Sequence, residues 1–147
     1  MGSPFKMIEE TGRFATMTGF ANDLTKDNVP IGSGLTKCNT KQGFEFLMGM
    51  HESPYLETNK GSLISTNQAR EAGIWIADVL CRHGGDQRLV APIENRSDML
   101  DLELDVKDGL LGVECTYPSD SDLDELPRVW LTSNKVPWDS SILDQEE

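Results

Sequence analysis

The strongest constraint on this chain's fold is residues 98–117, where apolar side chains occupy every second position on both sides of an Asp-Gly pair. The apolar members are Leu100, Leu102, Leu104 and Val106 in the first half, and Leu111, Val113, Cys115 and Tyr117 in the second. Asp108-Gly109 has the composition of a two-residue type I′ turn, so the pattern predicts a β-hairpin. In that register each apolar residue opposes another, from Val106 against Leu111 outward to Leu100 against Tyr117.

Two other segments have helical patterns. Residues 40–51 repeat apolar side chains at helical spacing after Asn39, which suits a helix N-cap, and residues 66–82 do so after Ser65. The fold class predicted from the sequence is therefore α+β. It consists of an antiparallel sheet, with a well-defined hairpin at about 98–117, packed against two helices at about 40–51 and 66–82.

A chain of 147 residues suits one domain, 1–147. Residues 1–38 are expected to form an extended or hairpin arm, and residues 139–147 an acidic C-terminal tail. No apolar stretch approaches the ~20 residues of a membrane span, and the N-terminus has no apolar signal-peptide core. The cysteines are odd in number and widely spaced, which favours reduced thiols over a disulfide framework. We therefore expect a cytoplasmic protein, or one of the host cytoplasm or the virion if the source is viral.

The formal net charge of −12 is distributed unevenly along the chain. Residues 1–93 carry 10 acidic and 9 basic side chains, whereas residues 94–126 carry 11 acidic and 2 basic ones. Such an acidic region repels the phosphates of nucleic acids and the headgroups of anionic membranes, so neither is expected as a direct partner. It is compatible with a basic protein as the partner.

The acidic side chains of this region fall into two groups of four, one on the polar face of the predicted hairpin and one in the segment that follows. They are Asp101, Glu103, Asp105 and Glu114, and then Asp120, Asp122, Asp124 and Glu125. Glu103 and Glu114 oppose each other in the predicted register, which is unfavourable by about 0.2–1 kcal/mol. Four explanations fit such a face: solvation that protects a sheet edge, pairing with Lys or Arg from elsewhere in the fold, a cationic partner protein, or a metal ion. These eight residues are the expected partner-binding set.

Asp120, Asp122 and Asp124 have the spacing that opens an EF-hand calcium loop. The sixth position of that loop needs glycine and is Glu125 here, and the twelfth needs a bidentate glutamate and is Leu131. Neither zinc-ligand spacing nor a nucleotide-binding glycine motif occurs elsewhere in the sequence. No metal and no other cofactor is therefore expected.

The two histidines are the candidates for acid–base chemistry. His51 precedes Glu52, which suits a general base beside a carboxylate, yet on the predicted helix it lies on the apolar stripe and suits a packed histidine. His83 lies in Arg82-His83-Gly84, which resembles the phosphate-binding RHG triplet of histidine phosphatases. In that family the triplet follows the first strand near the N-terminus, whereas here it ends the predicted second helix, where basic residues are favourable.

The leading hypothesis is a non-enzymatic acidic interaction protein that binds and occludes a basic surface of a partner protein. The analogy is with immunity proteins against nuclease toxins and with phage inhibitors of nucleic-acid-binding machinery, in which an acidic protein binds a basic surface. The alternative is a structural or assembly subunit of a virion or larger complex. In that role the chain could also associate with copies of itself as a homo-oligomer. The third is a small hydrolase that uses His51 or His83.

Overall fold

The computed structural model describes residues 1–18, 25–56, 62, 64–135, 137–139, 141 and 144. Its strands and helices are β1 Lys6–Thr18, β2 Thr25–Asn39, β3 Glu45–Pro54, α1 Thr66–Glu71, β4 Trp75–Ala77, β5 Arg88–Pro92, β6 Met99–Glu103, β7 Asp105–Lys107, β8 Leu110–Gly112, β9 Cys115–Thr116, α2 Asp120–Glu125 and β10 Arg128–Trp130. A one-turn 3-10 helix covers Cys81–His83. None of the helices in the described part of the chain is long and apolar enough to cross a membrane.

The largest sheet has the strand order β1-β2-β3-β10, and all neighbours are antiparallel except β10, which runs parallel to β3. The pairing of β1 with β2 ends at Lys6 opposite Leu35, and β9 then takes the place of β1 along the same edge of β2. A three-stranded sheet has the order β4-β5-β6, and β7 and β8 form a separate two-stranded ribbon. The long strand β2 thus organises the fold, because three other strands pair with it.

The main hydrophobic core lies between the large sheet and the three-stranded sheet. The alternating pattern of β5 and β6 buries every second residue, among them Leu89 and Leu102, which are Cα partners. The core residues are Cys38, Phe46, Met48, Val129 and Leu131 from the large sheet, Leu89, Ala91, Ile93, Leu100, Leu102 and Leu104 from the region of β5 and β6, and Ala69 and Ile74 around α1. Helix α1 adds little to this core, so the sheets account for most of the burial.

The fold class predicted from the sequence, α+β with two packed helices, is wrong: the protein is mainly β, and the described α-helices have six residues each. The predicted helix at 40–51 is instead a turn followed by strand β3, with Gly43 at φ 91° in the turn. Residues 46–50 are all buried, because β3 has strands on both sides and packing on both faces. A strand buried on both faces carries a continuous apolar run, which periodicity alone does not distinguish from a buried helix.

The predicted helix at 66–82 begins as expected but is much shorter. Ser65 caps it, and its hydroxyl accepts a hydrogen bond of 3.2 Å from the Gln68 backbone N–H. The helix ends at Glu71, and Gly73 then adopts a φ of 87°, in the left-handed conformation that terminates helices. The chain continues as β4, which pairs with β5. Residues predicted to form the second half of the helix therefore form a strand instead.

The predicted hairpin at 98–117 exists only at its tip. Asp108 and Gly109 have positive φ angles of 53° and 78°, as a type I′ turn requires, and Val106 pairs with Leu111. The outer pairs are wrong, since β6 pairs with β5 and β9 pairs with β2. The alternating pattern specifies which face of a strand is apolar but not which partner covers it.

Candidate functional site

The two carboxylates at the junction of β6 and β7 share one cation. Lys41, in the turn between β2 and β3, has its Nζ 3.3 Å from Glu103 Oε1 and 3.4 Å from Asp105 Oδ1. Hydrogen bonds to both carboxylates raise the pKa of Lys41, so the ammonium is held in its charged form. These carboxylates are therefore oriented by a residue of the nearly neutral first part of the chain.

The carboxylates of α2 are held in the same way by two lysines of the large sheet. Lys6 Nζ lies 3.1 Å from Asp120 Oδ1, and Lys37 Nζ lies 3.4 Å from Asp122 Oδ1. Helix α2 forms here because Ser119 and Asp122 complete a capping box, each side chain accepting a hydrogen bond from the backbone N–H of the other. The bond from the Ser119 backbone N–H is the largest cause that lowers the pKa of Asp122.

The remaining predicted residues differ in their surroundings. Asp101 Oδ1 lies 3.4 Å from Arg88 Nε across β5 and β6. Glu114, Asp124 and Glu125 are exposed, and none of the three has an ion pair within the part of the chain that the structure describes. Glu103 and Glu114 do not oppose each other, because Glu103 on β6 pairs with Arg88 on β5 and Glu114 lies between β8 and β9, outside both strands.

We call the eight carboxylates Asp101, Glu103, Asp105, Glu114, Asp120, Asp122, Asp124 and Glu125 the acidic surface. Five of them form ion pairs with four cations, Lys6, Lys37, Lys41 and Arg88, so the eight carboxylates outnumber these cations by four, and Lys37 also pairs with Glu45 outside the set. Of the explanations offered for this acidic cluster, pairing with Lys and Arg from elsewhere in the fold therefore accounts for part of the charge.

Exposed apolar side chains lie along the same part of the chain. Tyr117 is 59% exposed, and Lys6 Nζ lies 6.0 Å from its ring centroid. On the β7–β8 ribbon Val106 and Leu110 are 47% and 67% exposed. Exposed aromatic and aliphatic side chains beside charged ones are typical of protein contact surfaces.

The aspartates that suggested a calcium loop lie in or at the start of helix α2 rather than in a loop. No group of three or more His, Cys, Asp or Glu side chains within the described residues is placed to hold a metal ion. The EF-hand comparison is therefore not supported by the local backbone.

His51 lies on β3 at the centre of a polar row that the sequence did not indicate. Ser33 on β2 has its Oγ 2.7 Å from His51 Nδ1, and Ser33 is the Cα partner of Glu9 on β1. The Trp130 ring stacks on the imidazole, with centroids 3.8 Å apart and an interplanar angle of 14°. Trp130 Nε1 donates to Glu94 Oε2 at 2.5 Å, so the row has a carboxylate at each end.

The backbone around His51 is also fixed. Its N–H donates to Thr132 Oγ1 at 2.7 Å, and that hydroxyl donates to the His51 carbonyl at 2.6 Å. Burial lowers the pKa of His51, and the carboxylates of Glu9 and Glu94 oppose that shift in part. The imidazole is therefore neutral at pH 7 and able to act as a base.

The carboxylate of Glu52 forms its ion pair with Arg13 rather than with His51, although Glu52 and His51 are adjacent in sequence. Its carboxylate is buried and pairs with the Arg13 guanidinium, while its backbone adopts a φ of 52°. Gln68 Nε2 donates to the Glu52 carbonyl at 3.3 Å, which ties α1 to this irregular position in β3. The side chains that sequence reasoning missed, Ser33 and Trp130, are 18 and 79 residues away along the chain, and no local motif marks them.

His83 is exposed on the 3-10 turn, and Gly84 follows it at a φ of 86°. The Arg82-His83-Gly84 triplet therefore lies between β4 and β5 and does not follow the first strand. Comparisons of the chain with protein-family models, with curated proteins and with solved structures find no match.

Proposed function

We propose that this protein is a non-enzymatic interaction protein whose acidic surface binds a basic surface of a partner protein and occludes it. One observation carries the proposal: the eight carboxylates outnumber their paired cations by four, while five of them are held in place by cations from other parts of the fold. Charges fixed before binding lose little conformational freedom when a partner arrives. The arrangement thus suits an inhibitor or immunity-type protein.

The mechanism is electrostatic steering followed by contact. Glu114, Asp124 and Glu125, which have no ion pair among the described residues, attract a cationic surface over a distance set by the ionic strength. Tyr117 and Leu110, both more than half exposed, then provide apolar area at the contact. Partner cations compete with Lys6 and Lys41 for the paired carboxylates once the surfaces meet.

The test uses the full chain as bait in a lysate of its source, at low and high salt. It compares the unchanged protein with a variant that carries Glu114→Gln, Asp124→Asn and Glu125→Gln. A matched control carries Glu10→Gln, Glu71→Gln and Asp86→Asn, three exposed carboxylates outside the acidic surface. The net charge changes equally in both variants, so a difference between them reports position rather than overall charge.

The proposal predicts a basic protein that the unchanged chain and the control retain at low salt and that the first variant loses. Equal retention by both variants would show that the acidic surface is not the binding site. If the bait retains only a subunit of a larger particle, and the purified protein has the size of a symmetric oligomer, the assembly role would be supported instead.

A second candidate function, a small hydrolase, is favoured by the hydrogen bond between Ser33 Oγ and His51 Nδ1. A hydroxyl beside a neutral imidazole is the arrangement of an activated nucleophile and its base. A fluorophosphonate probe tests it: the candidate requires covalent labelling of Ser33 that His51→Gln abolishes. Absence of labelling in the unchanged chain would remove this function and leave the interaction role untouched.

A further inference from the structure

Two cysteines far apart in sequence meet across a strand pair. Cys38 on β2 and Cys115 on β9 are Cα partners in an antiparallel register, and both are free thiols. Their Sγ atoms are 3.0 Å apart, although 77 positions separate them along the chain. The third cysteine, Cys81, is exposed on the 3-10 turn and is not part of this pair.

The geometry of the pair is close to that of a disulfide. Directly opposed residues in an antiparallel pair have Cα atoms about 4.5–5.5 Å apart, within the range of about 4.4–6.8 Å that disulfides span. An S–S bond is about 2.05 Å long, so closure needs a relative movement of the two sulfurs of about 1 Å. Small rotations of the two side chains supply such a movement without a change in strand register.

The two thiols differ in exposure and in acidity. Cys38 is 1% exposed within the core, whereas Cys115 is only partly buried. The hydrogen bond between them lowers the pKa of Cys115 and raises that of Cys38, and burial raises the latter further. Cys115 is therefore the thiol that an external reagent meets first, and as the more acidic one it supplies the thiolate.

We propose that Cys38 and Cys115 are a redox pair that closes to an intramolecular disulfide by exchange with a small disulfide such as oxidised glutathione. The Cys115 thiolate attacks one sulfur of glutathione disulfide, which breaks the glutathione S–S bond and releases one glutathione thiolate. Cys38 then loses its proton and attacks the Cys115 sulfur of the mixed disulfide, which releases the second glutathione. The two protein thiols are oxidised, one glutathione disulfide is reduced to two thiols, and two protons are transferred.

The disulfide would stabilise the position of β9, which pairs with the large sheet over only a short length. Strand β9 contacts the large sheet through two residue pairs, Cys115 with Cys38 and Thr116 with Lys37. The β7–β8 ribbon precedes it and α2 follows it. A disulfide at this point therefore anchors both neighbours to β2. This inference does not depend on the proposed partner-binding function.

The full chain is incubated with oxidised glutathione, denatured, alkylated and analysed by mass spectrometry without reduction. We expect Cys38 and Cys115 to stop alkylating without gaining glutathione, whereas the exposed Cys81, which has no resolving thiol beside it, either alkylates or carries one glutathione. A cross-linked peptide pair containing Cys38 and Cys115 identifies the bond. Dithiothreitol should restore all three labels.

Two variants separate the roles of the thiols. Cys81→Ser should still form the bond, and Cys38→Ser should stop at a stable glutathione adduct on Cys115. Because the unchanged chain itself yields the cross-linked peptide, a variant that fails to fold does not remove the test. A cross-link that involves Cys81, or three alkylated thiols after oxidation, would overturn the proposal.

Discussion

Replacing Phe46 with alanine is expected to lower the free energy of unfolding by about 3–5 kcal/mol. Phe46 is 0% exposed and lies on β3 opposite Cys38, in the core between the two sheets. Removing a fully buried Phe side chain costs about 1.5–3 kcal/mol in transfer free energy. The rest of the expected loss comes from the cavity, because hydrogen-bonded strands on both sides of β3 limit its collapse.

Phe14→Ala is the matched control, since it removes the same atoms from a side chain that is 61% exposed on β1. We expect a loss of less than about 1 kcal/mol for this exposed position. Urea unfolding, followed by tryptophan fluorescence, measures both free energies by linear extrapolation. If Phe46→Ala does not fold, the milder Phe46→Leu replaces it with Phe14→Leu as its control, and the smaller cavity should still make the loss greater at Phe46 than at Phe14.

The comparison separates the strand from the helix that the sequence predicted at 40–51. In a helix, Phe46 would lie about 200° around the axis from Phe44, away from the apolar stripe. Similar losses for the Phe46 and Phe14 variants would show that Phe46 is not enclosed between the sheets, and would refute the packing described above.

Three further predictions concern the polar row, a close backbone contact and the proposed disulfide. Burial lowers the pKa of His51 below its ordinary value of 6.5, so the unfolded state takes up a proton at a higher pH than the folded state does. Stability from this group is therefore fully present above pH 6.5 and is lost as the pH falls below that value. Urea midpoints at about pH 7.5 and about pH 5.5 should differ less in His51→Gln than in the unchanged chain. A Cβ added at Gly49 would meet the Trp130 ring, so Gly49→Ala should lower the free energy of unfolding by about 1–3 kcal/mol and alter the tryptophan emission. Gly112→Ala is the control, because the new Cβ has open space around it and should leave the emission unchanged. The proposed disulfide closes a long loop and should raise the free energy of unfolding by about 4 kcal/mol. Dithiothreitol should reverse this increase. An equal urea midpoint for the oxidised and reduced protein would contradict the prediction.

Local signals in this sequence predict local structure well. Ser65 is the N-cap of α1, and Asp108-Gly109 forms the turn of the β7–β8 ribbon. Both depend on hydrogen bonds and backbone angles within a few residues, which the sequence encodes directly. The strand partners depend on which apolar faces meet in the folded chain, and the alternation of β6 suits β5 as well as it suits the predicted partner.

The candidate site shows the same division. The acidic residues are evident from the sequence, but their cations are not, since Lys6 and Asp120 are 114 positions apart. Ser33 and His51 become neighbours only because β2 and β3 pair with an irregular register between Gly32 and Gly34. Local patterns contain no information on contacts of this kind, because they arise from the topology of the large sheet.

The most direct test of the account is the salt dependence of association with the basic protein that the bait captures. We expect the association rate constant to fall by about tenfold or more between roughly 10 mM and 150 mM ionic strength, as the Debye length shortens from about 30 Å to about 8 Å. The variant that neutralises Glu114, Asp124 and Glu125 should start from a lower rate and show a weaker dependence. An association rate that does not change with salt, or that is the same for the variant and the unchanged chain, would contradict the proposal that the acidic surface steers and binds the partner.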